Sequence, residues 1–386
     1  MNDDTNWPRS LYVGTYTAPH TAPGEPFASE ALGIYVFHRF EDGSLELTQT
    51  VPAENPSFLA FSPGRQALYA VSEMGPGADG TPAGKVLAFH RDPDTGTLTK
   101  LNSQPSGGTW PCHLSVTQDG GHLLASNYAS GGFVVFPLTD DGHIAPMSDQ
   151  QDARGSGPDT ARQSQPHPHF IAEDPGLGLI LGADLGQDRV YLWTLERKAG
   201  RLVPHATPYI QTAGGTGPRH LTVHPVSGYV LVLNELSSTI DVFAPPAQRE
   251  PGAIWRQTLS ALPPASPFGR PRFDPTNPGF VPAGGNTTAE IRLHPSGRFV
   301  YVTNRGMNSV AVFAFDDAFQ RLSPVGWTST CGERPRGMNI CPEGRFLYVG
   351  NQGSNTIVVF AIDPEDGSLS DPLFEVPCPT PVDFAF

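Results

Sequence analysis

Several features are scarce in this chain, and each shortage excludes a class of protein. Cysteine occurs only four times in 386 residues, and no two cysteines form a CxxC pair. These numbers are too small for a disulfide framework, and the spacing does not suit a zinc knuckle. We therefore expect four reduced thiols in the core. They are Cys112, Cys331, Cys341 and Cys378.

Positive charge is also scarce. The chain has 24 Lys and Arg but 38 Asp and Glu, which gives a formal net charge of -14. A negative overall field repels nucleic acid and anionic membrane surfaces. No apolar run approaches the roughly 20 residues of a spanning helix, and Met1-Asn2-Asp3-Asp4 does not begin an export signal. The sequence predicts a soluble, cytoplasmic protein with no nucleic-acid or membrane partner, acting on a small molecule.

Glycine and proline are abundant instead, with 42 and 41 residues, and short β-branched and aromatic runs lie between them. This composition is typical of many short strands joined by turns. One phrase recurs: a strand, a Pro/Gly turn, a second strand ending near Asn, another turn and a third strand ending in Phe. Its clearest copy is RGMNI-CPEGR-FLYVGNQ-GSN-TIVVFAI at 336–362. Five more complete copies begin near residues 57, 113, 169, 219 and 290.

A seventh copy is split between the two ends of the chain. Residues 11–16 and 33–37 match a second and a third strand, whereas the matching first strand is PTPVDFAF at 379–386. The sequence predicts an all-β, seven-bladed β-propeller of four-stranded antiparallel blades, with the C-terminal strand closing the N-terminal blade. We predict one domain over 1–386, with a Pro/Gly-rich insertion at about 244–285 that carries a short strand near Trp255. Weaker fourth strands are predicted after Gly43, Gly96 and Gly367.

Two repeat positions should bring chemistry to one face of the ring, namely the start of the first strand and the end of the second. The first-strand positions are Ser57-Phe58, Cys112-His113, Pro168-His169, Arg219-His220, Ile291-Arg292, Arg336-Gly337 and Val382-Asp383. The second-strand positions are Tyr16, Glu73, Tyr128, Leu185, Glu235, Arg305 and Gln352. So many His, Arg and Glu residues predict a pocket.

Arginines at these positions would form a cationic well suited to phosphate or carboxylate, although each could instead brace loops between blades. His113, His169 and His220 are assigned to equivalent positions, and three convergent imidazoles can hold zinc. We predict no metal and no other cofactor, because no HExxH-type spacing is present and the ring geometry spaces the histidines apart. A carboxylate among cations stays ionised, which makes Glu235 an orienting group and His169 the better base.

These phrases resemble the propeller lactonase family that includes 6-phosphogluconolactonase and the fungal carboxymuconate cyclase. The resemblance covers the whole chain and rests on VGTYT (13–17), PHPH (166–169), ADLGQDRV (183–190), GPRH (217–220), NEL (234–236), TAEI (288–291), NRG (304–306) and RPRG (334–337). It implies catalytic roles for His169, Arg219, Glu235 and Arg305. The sequence departs from the family at Arg292, where the bacterial enzymes often carry His, and in the long Pro-rich segment before Asn286.

The function predicted is hydrolysis of an anionic sugar lactone, such as 6-phosphogluconolactone or a related aldonolactone, by a monomer or weak homodimer. The predicted substrate-binding residues are His113, His167, His220, Arg336, Glu73, Glu290, Arg292, Gln352, Tyr16 and Tyr128. A cycloisomerase that forms a muconate-type lactone is an alternative, since arginines also clamp carboxylates. A non-catalytic propeller that binds a protein is another, and it would present an apolar face with few ionisable groups.

Overall fold

A computed structural model describes residues 9–17, 29–246, 254–271 and 283–386, and every regular element within these ranges is a β-strand. The strands of the first half are β1 (Ser10–Thr15), β2 (Gly33–Arg39), β3 (Leu45–Pro52), β4 (Leu59–Phe61), β5 (Ala67–Ser72), β6 (Lys85–Arg91), β7 (Leu98–Pro105), β8 (Pro111–Val116), β9 (His122–Asn127), β10 (Gly132–Pro137), β11 (Asp149–Asp152), β12 (Pro168–Asp174), β13 (Leu179–Asp184) and β14 (Arg189–Glu196). Those of the second half are β15 (Arg201–Gln211), β16 (Pro218–Val223), β17 (Val230–Asn234), β18 (Thr239–Phe243), β19 (Trp255–Ser260), β20 (Thr287–Leu293), β21 (Phe299–Arg305), β22 (Ser309–Asp316), β23 (Arg321–Ser329), β24 (Pro335–Ile340), β25 (Phe346–Asn351), β26 (Thr356–Ala361), β27 (Phe374–Pro377) and β28 (Pro381–Ala385).

These strands form seven four-stranded antiparallel sheets, which confirms the predicted propeller. Blades 2 to 7 each use four consecutive strands, from β4–β7 to β24–β27. Blade 1 has the order β28-β1-β2-β3, so its innermost strand comes from the C-terminus. The inner strands contact one another in the cyclic order β28, β4, β8, β12, β16, β20, β24. The ring is therefore closed by strand pairing, as the split repeat predicted.

Apolar cores lie between neighbouring blades, and each of the seven junctions has its own cluster of buried side chains. Strand β5 shows why the repeat reads as a continuous apolar run. Its Leu68 and Ala70 face blade 1, whereas Tyr69 and Val71 face blade 3. Alternate side chains of a strand point to opposite faces, and here both faces are buried.

The inner strands carry a bulge near their N-terminal ends, and this feature was not visible in the sequence. The register shifts between Pro111 and His113, between Pro168 and Phe170, and between Pro218 and His220. Similar shifts occur in blades 1, 6 and 7. A bulge places an extra residue opposite one partner and re-aims its side chain. Neighbouring residues of these strands can therefore both face the central tunnel.

Three smaller expectations have different outcomes. The strand near Trp255 is present as β19 and completes blade 5. The fourth strand predicted after Gly367 is misplaced, because β27 begins only at Phe374. Cys331 is not a core thiol: it is exposed in the turn after β23, whereas the other three thiols are free and buried.

A large part of the insertion between β18 and β20 lies outside the described residues, as do the first eight residues. Within the described ranges, the chain contains no helix that is both long and apolar enough to cross a membrane.

Candidate active site

The bulges and the ends of the second strands supply two side chains per blade to one mouth of the tunnel. We call these fourteen residues the mouth ring. The bulge residues are Cys112, His169, Arg219, Ala289, Arg336 and Val382, and in blade 2 Ser57 lies at the equivalent position just before β4. The residues at or directly after the second-strand ends are Tyr16, Glu73, Tyr128, Leu185, Glu235, Arg305 and Gln352.

Glu235 lies at the centre of the charged half of the mouth ring. Its Oε2 is 3.1 Å from Nε of Arg219 and 2.9 Å from Nη2 of Arg305, and its Oε1 is 2.7 Å from Nη2 of Arg162. The carboxylate is almost wholly buried. Burial alone would raise its pKa, but the guanidinium groups of Arg305, Arg162 and Arg219 outweigh burial and hold the pKa of Glu235 well below its usual value. Glu235 is therefore ionised and fixes three arginines in place.

Arg162 is a site residue that the sequence analysis missed. It lies in the loop between β11 and β12, and its Nη2 also lies 3.4 Å from the hydroxyl of Tyr128. The loop is held by Gln163, whose Nε2 donates to the Leu185 carbonyl and to Asp188, each at 2.8 Å. The only signal in the sequence is an arginine in an unusually long connection before a first strand. The repeat alignment leaves such a connection out.

Glu235 with Arg162, Arg219 and Arg305 forms a cluster that we call the arginine cage. His169 lies beside the arginine cage, and its ring forms no hydrogen bond to the described residues. Its Nδ1 is buried and unpartnered, and its ring centroid is 5.3 Å from that of His220 and 5.5 Å from that of Tyr128. Burial, with Arg219 as the next contribution, holds its pKa well below the usual value. His169 is therefore a neutral imidazole with an unused acceptor next to several cations.

The register corrects the assignment of the three histidines to equivalent positions. His169 is the bulge residue of its strand and corresponds to Arg219, whereas His113 and His220 correspond to Phe170, one residue further on. His113 and His220 therefore belong to a second layer, which we call the lower ring. The lower ring comprises Phe58, His113, Phe170, His220, Glu290, Gly337 and Asp383.

The lower ring is packed across the tunnel. Phe58 of blade 2 reaches His220 of blade 5 at 5.8 Å between ring centroids, and His113 lies 5.3 Å from His220. His113 also packs against Phe170 at 4.4 Å, and its Nδ1 accepts the Ile171 N–H. Burial holds the pKa of His113 well below the usual value. These rings form the floor of the site.

The predicted first-strand position in blade 6 is also wrong, by two residues. Ala289 and Glu290 occupy it, because Thr288 pairs with Asn304 and Ile291 with Val302. Arg292 is consequently below the lower ring. Its Nε donates to the Met338 carbonyl, and its Nη2 is 3.5 Å from Asp383. The structure does not bring Arg292 to the mouth ring.

The opposite half of the mouth ring is built around Tyr16. Its hydroxyl donates to Oε2 of Glu73 at 2.9 Å, and the hydroxyl of Ser57 donates to the same oxygen. The guanidinium of Arg336 lies over the Tyr16 ring, 5.3 Å from its centroid. Although burial opposes ionisation, Tyr16 and Glu73 raise the pKa of Arg336. Arg336 forms no hydrogen bond or ion pair within the described residues, so its guanidinium can bind an anion.

The remaining predicted residues lie at the rim. His167 stacks on Tyr128 with centroids 4.4 Å apart, and its Nδ1 is 3.1 Å from the Tyr128 carbonyl oxygen. Burial lowers the pKa of His167 to about 4. Gln352 is buried in its mouth-ring position, and its side chain has no hydrogen bond with the described residues. No group of three or more His, Cys, Asp or Glu that could hold a metal ion occurs in the part of the chain that is described.

The site thus combines a neutral imidazole, which has no hydrogen bond to the described residues, with four buried or partly buried guanidinium groups and one central carboxylate. A neutral imidazole can accept a proton from water, and preorganised guanidinium groups can stabilise a developing oxyanion. The face is charged, which does not suit the apolar surface expected of a purely protein-binding propeller.

Known proteins are similar to this chain in both sequence and fold. A 6-phosphogluconolactonase of Bacillus subtilis is 33% identical over 328 residues, which cover 84% of this chain and 83% of that protein. A 6-phosphogluconolactonase of Serratia proteamaculans is 31% identical and covers 81% of this chain and 82% of its own. The solved structure of a periplasmic gluconolactonase of Pseudomonas aeruginosa has a TM-score of 0.83 at 29% identity and covers 98% of both chains.

The family model described as "Lactonase, 7-bladed beta-propeller" matches residues 10–386, which include every blade and every residue of both rings. The chain therefore belongs to the seven-bladed β-propeller lactonase family.

Proposed function

We propose that this protein hydrolyses a sugar lactone, and that its substrate is 6-phosphogluconolactone or a related aldonolactone. The observation that carries the proposal is the unpartnered His169 imidazole beside the arginine cage of Glu235. The names of the relatives support the same chemistry, since two that are more than 30% identical are 6-phosphogluconolactonases.

The proposed reaction uses His169 as general base and then as general acid. A water molecule gives a proton to the imidazole as its oxygen attacks the lactone carbonyl carbon. The ring C–O bond then breaks, and the imidazolium returns the proton to the departing alkoxide, so that the product is the open-chain hydroxy acid. General-base help of this kind contributes about 100- to 10,000-fold.

Arg219 and Arg305 are the proposed oxyanion stabilisers. Glu235 holds one nitrogen of each, Nε of Arg219 and Nη2 of Arg305, so both guanidinium groups are ordered before the substrate arrives. Groups fixed in advance stabilise transition-state charge without a reorganisation cost. In this proposal Glu235 positions the arginines and does not itself accept the proton.

Arg336 is the proposed ligand of an anionic substituent. It has no hydrogen-bond partner within the described ranges, and a planar guanidinium binds phosphate or carboxylate through two parallel hydrogen bonds. The ring face of Tyr16 packs against its guanidinium. Arg336→Met should therefore weaken binding of a phosphorylated lactone more than that of a plain one.

The test is a substrate panel with the purified protein at pH 6.5, corrected for spontaneous hydrolysis. The panel contains 6-phosphogluconolactone, gluconolactone and a carboxymuconate. The proposal expects enzymatic hydrolysis of at least one lactone, and a preference for the phosphorylated one that is lost in Arg336→Met. Cyclisation of the diacid without any lactone hydrolysis would instead identify a cycloisomerase.

A further inference from the structure

Arg219 and His220 are neighbours in the chain, yet both side chains face the tunnel. In a regular strand they would point to opposite faces. The register shift between Pro218 and His220 makes Arg219 the bulge residue and puts the two side chains in contact. Nη1 of Arg219 lies 3.2 Å from Nε2 of His220.

Three contacts fix the guanidinium of Arg219. Nε lies 3.1 Å from Oε2 of Glu235, and Nη1 donates to the Ala289 carbonyl and faces Nε2 of His220. Nη2 has no hydrogen bond with the described residues. The protein therefore holds two of the three nitrogens and leaves Nη2 for the substrate.

The tautomer of His220 follows from its partners. Nη1 of Arg219 is a donor, so Nε2 must accept and carries no proton. The proton is then on Nδ1, which lies 3.1 Å from Oε1 of Glu290 and donates to it. Burial, with Arg219 as the next contribution, holds the pKa of His220 well below its usual value, so the ring is neutral.

Glu290 is fixed in turn by its own surroundings. Its Oε1 accepts the Ile291 N–H at 3.2 Å and lies 3.5 Å from Nε of Arg292, and its own N–H donates to the Thr303 hydroxyl at 2.9 Å. The chain Arg219–His220–Glu290–Arg292 thus alternates donors and acceptors without a mismatch. Without the acceptor at Glu290, the imidazole could move its proton to Nε2, and two donors would then face each other.

We propose that His220 and Glu290 are a positioning pair for Arg219, and that neither touches the substrate. The kinetic consequences of this role rest on the proposed lactone hydrolysis. The contacts among Arg219, His220 and Glu290 do not depend on it. It differs from the substrate-binding role that the sequence predicts for both residues. Their place in the lower ring, below the mouth ring, explains the difference.

Paired substitutions separate positioning from contact with the reacting atoms. In His220→Gln the side-chain Oε1 can accept from Arg219 as Nε2 does, whereas His220→Leu offers no acceptor. Likewise Glu290→Gln can accept from Nδ1, whereas Glu290→Leu cannot. For the best lactone of the panel, each Leu variant should lose about 10- to 100-fold in kcat with little change in KM, which corresponds to losing one hydrogen bond to a charged group.

The Gln variants should retain kcat within about threefold of the wild type, a ratio worth less than 1 kcal/mol. Loss in the Gln variants equal to that in the Leu variants would overturn the proposal, and so would wild-type kcat in all four. Thermal unfolding of each variant identifies any that do not fold. If a Leu variant does not fold, the kcat of the corresponding Gln variant, which preserves the hydrogen bond, is compared with that of the wild type.

A second measurement does not depend on turnover. The ¹⁵N chemical shifts of the histidine rings at pH 7 should show His220 as the neutral Nδ1–H tautomer, assigned with His220→Gln as the reference. An Nε2–H tautomer or a protonated ring would overturn the proposal even in an active enzyme. The expected tautomer in a protein that hydrolyses no lactone would reject the proposed function and leave the pairing of His220 with Glu290 standing.

Discussion

Arg162, in the loop that connects blades 3 and 4, forms an ion pair of 2.7 Å with Glu235 at the mouth of blade 5. Both side chains are largely buried, with 10% and 5% of their surface exposed. Arg162 is the only ion-pair partner of Oε1 within the described residues, while Oε2 is shared by Arg219 and Arg305. The carboxylate therefore joins residues from three separate segments of the chain.

Substitution of Arg162 should destabilise the protein because it leaves a buried carboxylate oxygen unpaired. Arg162→Gln is expected to lower the free energy of unfolding by about 1–3 kcal/mol. Urea unfolding at pH 7 measures this loss. Arg154→Gln is the matched control, since Arg154 lies in the same loop, is exposed and makes no ion pair within the described residues. Equal stability of the two variants would contradict the buried ion pair.

Glu235 should make the protein less stable in acid. Its pKa in the folded protein is well below the value of 4.5 that it has when unfolded, so its stabilising contribution is present above pH 4.5. That contribution is lost as the pH falls through the folded-state pKa. Wild type should lose more stability than Glu235→Gln between pH 5 and pH 3. Parallel unfolding curves for the two proteins over this range would disprove the caged carboxylate.

Asp383 should show the opposite dependence. Burial raises its pKa from 3.8 to about 7, although Arg292 partly offsets the effect. The stabilisation from its protonated form is complete below about pH 3.8 and is lost as the pH rises towards 7. Asp383→Asn can still accept the Leu59 N–H, which Oδ2 of Asp383 accepts at 2.7 Å.

The free energy of unfolding of Asp383→Asn should therefore rise relative to that of wild type between pH 4 and pH 7. The increase should be about 1.4 kcal/mol for each unit by which the pKa of Asp383 differs between the folded and unfolded states. Unfolding free energies at pH 4, 5.5 and 7 measure the growth. A constant difference across these pH values would show that Asp383 ionises normally.

The closing strand β28 should contribute strongly to stability through Phe384. This side chain is 1% exposed and belongs to the core between blades 7 and 1. Phe384→Ala should cost about 3–5 kcal/mol in the free energy of unfolding, the usual range for a buried aromatic. Leu373→Ala is the control, because Leu373 is 43% exposed and should change stability by less than about 0.5 kcal/mol. A similar small change in both variants would mean that β28 is not required for closure.

The fold was predictable because the same residue types recur at the turns and strand ends of successive repeats. Gly297 and Gly344 occupy the same turn position in blades 6 and 7 with φ of 76° and 73°, a conformation that favours glycine. Asn127, Asn234 and Asn351 end the second strand in three blades. Such signals locate blades from a single sequence, and the split copy then indicates how the ring closes.

The site was predictable only in part, for two physical reasons. A bulge adds one residue without changing the pattern of residue types, so His169 was aligned with His220 although its counterpart is Arg219. Arg162 comes from a connection outside the repeat, and a repeat alignment carries no information about where a loop returns. Glu235 was found because it lies at a second-strand end, but its contacts with three arginines are visible only in the folded structure.

The most direct test of the account is the effect of His169→Gln on lactone hydrolysis. With the best lactone of the panel at pH 6.5, we predict a fall in kcat of about 100- to 10,000-fold, because no other neutral, unpartnered imidazole lies in the described part of the mouth ring. His90→Gln, at an exposed position on β6, should keep wild-type turnover. A His169→Gln enzyme that turns over as fast as the His90→Gln control would contradict the assignment of His169 as the base.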